Sequence, residues 1–278
     1  MGFTIATNTS SLNAMRNLNL NQSAQSKSVE RLSSGFRINR AADDAAGLAI
    51  SEGLKNQISG LTQAGRNAQD GISVIQTAEG ALTEVHNVLN RMRDLAVQGG
   101  NESNNAESLG ALKKEADALG MELNRIATGT KFNGIALMTA GTMDIQVGAG
   151  SGATDSISIA LTDMTTAIGG LMSATGATDF LVTDNAAAKT TITALDAAIT
   201  AISTSRSDLG AQQNRLESTA RSIAVSVENL SAANSRIRDT DMAAEMGNFT
   251  KSQILSQAAT AMLAQANQMN SGVMQLLQ

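Results

Sequence analysis

The chain has 278 residues, no proline, no cysteine and an aromatic content of 2%. Proline interrupts helix interiors, so its absence favours long helices, and the scarcity of aromatic side chains argues against a broad core of large residues. The lack of cysteine excludes disulfides and thiolate metal sites, and a formal net charge of −5 without a basic block makes nucleic acid a poor candidate partner.

No apolar run reaches the roughly 18–20 residues that a membrane span needs. The N-terminal stretch, residues 1–11, lacks the basic start and apolar middle of a cleaved signal peptide. We therefore expect neither a membrane span nor export by a cleaved leader.

The N-terminal region combines a helical apolar pattern with an almost uncharged polar face. Residues 1–26 carry a single charged side chain, Arg16. A solvated amphipathic helix normally carries charges on its outer face, so Ser, Asn and Gln there indicate that this face is also covered. The apolar positions are Ile5, Leu12, Met15, Leu18, Val29 and Leu32.

Residues 35–52 contain two glycines and an Asp-Asp pair, which predict a break before the next helix. A heptad repeat then begins, and it predicts a long helix with one narrow apolar stripe. Its positions are Leu54, Leu61, Ala68, Ile75, Leu82, Leu89 and Ala96. Four glycines in this helix each cost about 1 kcal/mol relative to alanine, which burial of the stripe outweighs.

A shorter helix and a β-hairpin are predicted next. Asn104 and Glu107 resemble a capping arrangement that opens a helix ending near Gly129. Residues 132–135 read as a tight turn. Alternating apolar residues on either side of a glycine-rich stretch then predict a hairpin over residues 143–161.

Residues 162–188 are low in charge and rich in Ala, Thr and Gly, so we expect a surface-exposed, variable segment near 162–190. A second long helix follows, in which every seventh residue is leucine or isoleucine. These positions are Leu195, Ile202, Leu209, Leu216, Ile223, Leu230 and Ile237. A seven-residue period requires a left-handed supercoil with a partner of similar length, and the first long helix provides one.

Residues 252–278 carry no charge and repeat the uncharged amphipathic pattern of the N-terminus, with Leu255, Met262, Met269 and Leu276 at every seventh position. The chain thus runs out along one set of helices and returns along another. The predicted fold is mainly α, an elongated antiparallel coiled-coil or helical bundle with one β-hairpin.

The candidates for chemistry are weak. His86 is alone, without a cysteine or a second histidine at ligand spacing, and is read as a helix-face residue. Asp239 and Asp241 favour helix capping over cation binding. The glycines at 148–152 lack the Gly-Lys-Ser/Thr of a phosphate loop. We predict no catalytic residue, no cofactor and no metal, and hence no enzyme.

Two stretches resemble the signatures of bacterial flagellin. Residues 32–39 (LSSGFRIN) and 41–50 (AADDAAGLAI) are similar to its N-terminal motif, and residues 236–246 (RIRDTDMAAEM) to its C-terminal motif. Residues 89–98 and 130–134 also match. The resemblance covers nearly the whole chain, is weakest at 162–190, and implies a short member that lacks the large central outer domains.

This resemblance implies a structural subunit that polymerises into the extracellular filament of the bacterial flagellum, which drives motility. Residues 1–44 with 236–278 would form a discontinuous terminal coiled-coil domain, the inner tube of the filament. Residues 45–235 would form the rod domain of the surrounding shell. The apolar positions of the terminal helices would be the polymerisation interface. The leucine and isoleucine positions of the two long heptads would be the intramolecular coiled-coil seam.

The resemblance also implies partners. The subunit would be exported unfolded by the flagellar type III route, with an export chaperone, the filament cap and the hook-junction proteins as partners. A host Toll-like receptor for flagellin would contact Arg91, Leu95 and Glu115.

The uncharged, weakly apolar ends also support a hypothesis about assembly. Ordering the terminal residues costs more conformational entropy than their own apolar burial returns, so the ends should be disordered in the monomer and fold as neighbouring subunits cover them. Contacts that do not close into a ring then give an open helical polymer.

Two alternatives remain open at this stage. A hook–filament junction protein would have similar ends, usually with a longer and less regular middle. The helical signalling hairpin of a chemoreceptor would also show long heptads, but it would need membrane spans and no β-hairpin midway.

Overall fold

The computed structural model describes residues 8–172 and 178–275, with side chains described as far as residue 269. The helices are α1 (Thr9–Ser34), α2 (Ala45–Gly99), α3 (Ala106–Gly129), α4 (Met164–Ile168), α5 (Asn185–Arg238) and α6 (Met242–Gln275). The strands are β1 (Lys131–Phe132), β2 (Ile135–Ala136), β3 (Gly141–Gln146) and β4 (Ser156–Leu161). The prediction of a mainly helical, antiparallel fold with a small amount of β-structure is confirmed.

The contacts divide the chain into two compact units. Unit 1 consists of the described parts of Met1–Asn56 and Glu228–Gln278, and unit 2 of Gln57–Val227. The helices α1 and α6 lie in unit 1, whereas α3, α4 and the strands lie in unit 2. The predicted domain boundaries after residues 44 and 235 stay a prediction.

The core of unit 2 forms where α2 and α5 pack antiparallel. Arg93 Nε donates to Asp196 Oδ1 at 2.6 Å near one end of the pair. At the other end, a methyl group on Gly65 would lie 3.6 Å from Ile223. Buried apolar residues of α3, the β3–β4 hairpin and α4 join the same cluster. The heptads of the two long helices therefore meet in one continuous core.

Helix α2 begins earlier than the sequence predicts. Asp44 Oδ1 accepts from the backbone N–H of Gly47 at 2.9 Å, so this aspartate caps a helix that starts at Ala45. The predicted break over 35–52 is therefore wrong in extent, because its second half is helical. The preceding helix ends at Gly35, whose φ of 75° is the left-handed conformation common at helix C-termini.

Two capping assignments have different outcomes. The cap of α3 is Asn105, whose side chain accepts from Ser108 N, so the predicted arrangement at Asn104 is wrong by one residue. The prediction that the Asp239–Asp241 pair caps a helix is confirmed for Asp241, whereas Asp239 Oδ2 accepts from Ser235 Oγ instead. Asp241 Oδ1 accepts from the backbone N–H groups of Ala243 and Ala244 at 2.9 and 3.1 Å.

The predicted tight turn and the predicted β-hairpin are both confirmed. Strands β1 and β2 pair across the two-residue turn Asn133-Gly134, whose φ angles of 47° and 82° suit the twist of a tight hairpin. Strands β3 and β4 pair antiparallel, with Met143 opposite Ile159 and Ile145 opposite Ile157. The alternating apolar residues thus share one face of this hairpin, which packs against the core cluster.

The segment near 162–190 is less exposed than predicted. Its described part, outside residues 173–177, contributes five large apolar side chains that are nearly fully buried, and the expectation of surface exposure is wrong for them. They are Met164, Ile168, Leu171, Phe180 and Val182. The sequence variability of the segment stays a prediction.

The close packing of this segment on α3 predicts the effect of one substitution. A Cβ on Gly120 would overlap the side chain of Thr178 and lie 2.8 Å from the backbone oxygen of Leu171. Because that oxygen can move only with its backbone, we expect Gly120→Ala to destabilise the protein by about 1–3 kcal/mol despite the helix preference of alanine. Thermal unfolding followed by circular dichroism measures the effect.

Gly110 provides a matched control on the same helix. Nothing lies within 4 Å of a Cβ added there. Gly110→Ala should therefore leave the unfolding temperature unchanged or raise it slightly. Equal unfolding temperatures for the two variants would show that the segment does not pack against α3 as described.

Candidate functional site

The predicted interface residues of the terminal helices lie mostly on the outside of unit 1. The six exposed ones are 42–64% accessible, and we call them the outer apolar surface. They are Leu12, Met15, Val29, Leu255, Met262 and Met269. Leu18 and Leu32 are half-buried instead, and Ile5 and Leu276 lie outside the described residues. Leu20, Met242 and Met246, which the sequence analysis did not select, are equally exposed.

A different set of residues forms the contact between α1 and α6, and we call it the terminal seam. Its members recur at spacings of three and four, but most are small or polar. On α1 they are Ser11, Ala14, Leu18, Asn21, Gln25, Ser28 and Leu32. On α6 they are Glu245, Phe249, Ser252, Ser256, Ala259, Leu263 and Ala266. This heptad is not visible in the apolar residues alone; the regular spacing of small and polar residues is the signal that indicates it.

One buried polar cluster fixes the register of the terminal seam. The Glu245 side chain is almost fully buried; its Oε1 accepts from Ser28 Oγ at 2.5 Å, and its Oε2 lies 3.6 Å from Arg31 Nη1. At the far end, Asn8 Nδ2 donates to the backbone oxygen of Ala266 at 3.0 Å. A slip of the helices would leave a buried carboxylate without partners, which is costly. The seam therefore has one favoured antiparallel pairing.

The two segments that lead into α2 and out of α5 are tied together within unit 1. Phe36 and Asp239 form an antiparallel β-bridge, and the Arg238 guanidinium lies 4.6 Å from the centre of the Phe36 ring. In the same unit, the Lys27 ammonium, 2.7 Å away, and the backbone N–H of Arg40 lower the pKa of Asp43 to about 2. The Asp43 carboxylate, which lies in the segment between α1 and α2, is thus held ionised.

The predicted intramolecular coiled-coil seam is closely packed in unit 2. Eight of its residues are at most 7% exposed: Ile75, Leu82, Leu89, Leu195, Ile202, Leu209, Leu216 and Ile223. Leu61 packs against the same core. The remaining members, Leu54, Leu230 and Ile237, are half-buried in unit 1.

The three residues assigned to a receptor contact lie close together in unit 2 but differ in exposure. Arg91 Nε on α2 donates to Glu115 Oε1 on α3 at 2.9 Å, and both side chains are about half exposed. Leu95 lies one turn from Arg91 and is 1% exposed. The arrangement presents an ion pair to solvent above a buried leucine.

The described residues contain no group of three or more His, Cys, Asp or Glu side chains that could hold a metal ion. His86 is half-buried on α2. No described helix is long and apolar enough to span a membrane.

Comparison with known proteins gives two family matches. Residues 5–143 match the bacterial flagellin N-terminal helical region, and residues 192–277 match the bacterial flagellin C-terminal helical region. The intervening residues include the segment where the resemblance is weakest.

Curated relatives match over nearly their whole length. A flagellin of Halalkalibacterium halodurans is 50% identical, with 97% of this chain and 98% of the relative covered. A flagellin of Bacillus subtilis is 47% identical with the same coverage. A 33 kDa core protein of the flagellar filament of Treponema phagedenis is 44% identical, again over 97% of this chain and 98% of the relative.

The matches cover the helices at both ends and the helices between them. A hook–filament junction protein and a chemoreceptor hairpin, the two alternatives, explain these matches less well than a flagellin does. The matched helical regions and the near-complete alignment indicate the same family. The outward apolar faces of α1 and α6 agree with a subunit that contacts its neighbours. The chain therefore belongs to the bacterial flagellin family, as a non-enzymatic structural subunit that polymerises into the extracellular filament of the bacterial flagellum.

Proposed function

We propose that the subunit polymerises through the outer apolar surface of α1 and α6. The observation that carries the proposal is the exposure of these six side chains, 42–64%, on helices that carry a single charged residue, Arg16, over residues 9–26 and 252–275. Contiguous exposed apolar residues mark interaction surfaces on soluble proteins. Neutral Ser, Asn and Gln around them can be buried against a neighbour with much less desolvation cost than Lys or Glu.

The composition of the terminal seam supports the same proposal. Its small and polar residues bury little apolar area between α1 and α6, so the two helices gain limited stability from each other alone. Further burial must come from other subunits. Folding of the ends is then coupled to assembly, which makes addition at a filament end favoured over association of free monomers.

A single charge on the outer apolar surface should stop assembly. We expect Leu255→Glu to lower the rate of seeded elongation by at least about a hundredfold, because a carboxylate buried against a neighbour costs several kcal/mol. Leu255 is 42% exposed in the described subunit, so the substitution should leave the monomer folded. Sedimentation and electron microscopy after addition of filament seeds measure elongation.

Val225 supplies the control. It is 56% exposed on α5 and lies in unit 2. Val225→Glu makes the same kind of change away from the terminal helices and should elongate at nearly the wild-type rate. Normal elongation of Leu255→Glu would refute the proposed interface, and failure of both variants would show that assembly is not confined to the terminal helices.

The two domains predicted from the sequence have different proposed roles in the filament. Residues 1–44 with 236–278 form the inner tube, and residues 45–235 form the shell, stiffened by the intramolecular coiled-coil seam. The burial of eight seam residues in unit 2 supports a rigid shell. The segment near 162–190 is the proposed variable part.

We also propose export in an unfolded state through the flagellar type III route. The absence of cysteine supports this route, because no disulfide can block the threading of the chain. The absence of proline also removes the slow isomerisation that delays refolding after passage. An export chaperone would cover the terminal helices before export, and the filament cap and the hook-junction proteins would contact them afterwards.

The host Toll-like receptor for flagellin is a further proposed partner. The ion pair of Arg91 and Glu115 is accessible to a protein partner, whereas the buried Leu95 would support the surface beneath it. We expect Arg91→Ala combined with Glu115→Ala to lower receptor activation by about tenfold or more, as for charged residues at the centre of an interface. A reporter-cell dose response with monomeric protein measures the change.

Arg125 and Glu122 form a comparable exposed ion pair on α3 and provide the control. Replacing both with alanine removes the same charges elsewhere on unit 2 and should leave the dose response unchanged. An unchanged response for the Arg91 and Glu115 variant would defeat the proposed contact.

A further inference from the structure

The exposed methionines of the described residues lie mainly on the terminal helices: one is Met121 on α3, one is Met15 on α1, and the others are on α6. Met92, Met138 and Met164 in unit 2 are at most 2% exposed. Four methionines of α6 are 48–64% exposed: Met242, Met246, Met262 and Met269. On the outer apolar surface, methionine therefore stands at positions where leucine would satisfy the same heptad.

Met262 and Met269 are the pair most directly involved in the proposed interface. Their seven-residue spacing puts them on one face of α6 together with Leu255. Met262 is 64% exposed and is the most accessible large apolar side chain of the described residues. A thioether at such a position is open to solvent oxidants in a free subunit and would be covered once neighbours pack on it.

We propose that Met262 and Met269 form an oxidation site whose modification by peroxide blocks assembly. The proposal rests on the polymerisation interface proposed above. In the reaction, the thioether sulfur attacks one oxygen of hydrogen peroxide, the O–O bond breaks, and the sulfur is oxidised by two electrons to a sulfoxide. The proton on the transferred oxygen passes to the departing hydroxide, which leaves as water.

Sulfoxide formation changes the property on which the interface depends. A flexible apolar side chain becomes polar and carries a strong acceptor oxygen. Buried between helices without a donor, that oxygen loses its hydration and opposes packing. The same change at an exposed position of the free monomer costs little. Oxidation should therefore leave the monomer folded and act on elongation.

The test begins with full-length monomer treated with hydrogen peroxide. Peptide mass spectrometry should show that Met262 and Met269 are modified at least about tenfold faster than the buried Met92, because reactivity follows exposure. Peroxide is then removed, and seeded elongation is measured. We expect the oxidised protein to elongate at least about tenfold more slowly than untreated protein.

Three variants identify the residues responsible. In a Met15→Leu background, which removes the third methionine of the outer apolar surface, Met262→Leu with Met269→Leu keeps apolar side chains of similar volume without sulfur. The elongation of this variant should resist peroxide, whereas Met15→Leu alone should remain sensitive. Met121→Leu removes an exposed methionine of α3 instead and should remain as sensitive as wild type. Wild-type filaments exposed to peroxide should be modified at Met262 and Met269 more slowly than the monomer.

Three results would overturn the inference: equal modification of Met262 and Met92, unchanged elongation after modification, or equal sensitivity of Met15→Leu with and without Met262→Leu and Met269→Leu. Untreated Met262→Glu distinguishes these from a failure of the interface itself. If Met262→Glu fails to elongate while oxidised wild type elongates normally, only the oxidation site is refuted. If Met262→Glu elongates normally, the proposed interface is refuted as well.

Discussion

A fragment without residues 1–40 and 240–278 will remain a soluble, helical monomer and will form no filaments. The buried core cluster runs from Ala64 to Ile223, so the deletion removes none of it. It does remove α1 and α6, and with them the whole outer apolar surface and the terminal seam. The fragment thus keeps its source of stability and loses the proposed polymerisation interface.

The measurement combines three readouts on the fragment and on the full chain under the same conditions. Circular dichroism reports helicity, sedimentation velocity reports the oligomeric state, and electron microscopy after seeding reports filaments. The full chain should elongate from the seeds, whereas the fragment should give no filaments at any concentration tested. Filaments from the fragment would contradict the proposed function, and loss of helicity would show that unit 2 depends on the terminal helices.

The second large effect is expected in amide hydrogen exchange of the dilute monomer. We expect amides of α1 and α6 to exchange roughly a thousandfold faster than those of α2 and α5 in unit 2, since local opening free energies range from near zero to the global value. The terminal seam buries mostly Ser, Asn, Gln and Ala, whereas the coiled-coil seam buries Leu and Ile. Less apolar area is therefore lost when the terminal helices open.

The same amides should become protected in the filament, where neighbouring subunits cover the outer apolar surface. Exchange of monomer and filament, followed by mass spectrometry of the same peptides, gives the comparison. Peptides from the Leu82 and Leu209 regions provide the internal reference, because both side chains are buried within the subunit. Protection of α1 and α6 equal to that reference in a strictly monomeric sample would rule out coupling of their folding to assembly.

Spacing alone predicted the elements with the strongest periodicity. The heptads at Leu82 and Leu209 identified two long helices that pack on each other, because a seven-residue apolar repeat is stable only against a partner. Alternation around Ile145 and Ile157 identified the hairpin, because strand side chains point to opposite faces in turn. These patterns are local and each has one physical interpretation. The helices and the hairpin could therefore be predicted without knowledge of the fold.

The residues at which helices begin, and the residues that cap them, were less predictable. A helix can be capped by either of two adjacent asparagines, and only the final backbone path selects Asn105 over Asn104. The start of α2 at Ala45 was similarly hidden, because the glycines and aspartates before it are equally compatible with a longer loop. Asp44 decides the matter through its hydrogen bond to Gly47.

The sequence by itself determined that this chain is a set of long helices with uncharged, amphipathic ends and an interposed hairpin. Only the tertiary structure decided which heptad of α6 faces inward: the polar one at Glu245 and Ser252 packs on α1, while the apolar one at Leu255 and Met262 faces outward. Likewise, only the fold gave Phe180 a buried site. Both outcomes depend on residues that are distant in sequence. A side chain is buried only when such residues pack against it, and the local sequence around the side chain does not specify them.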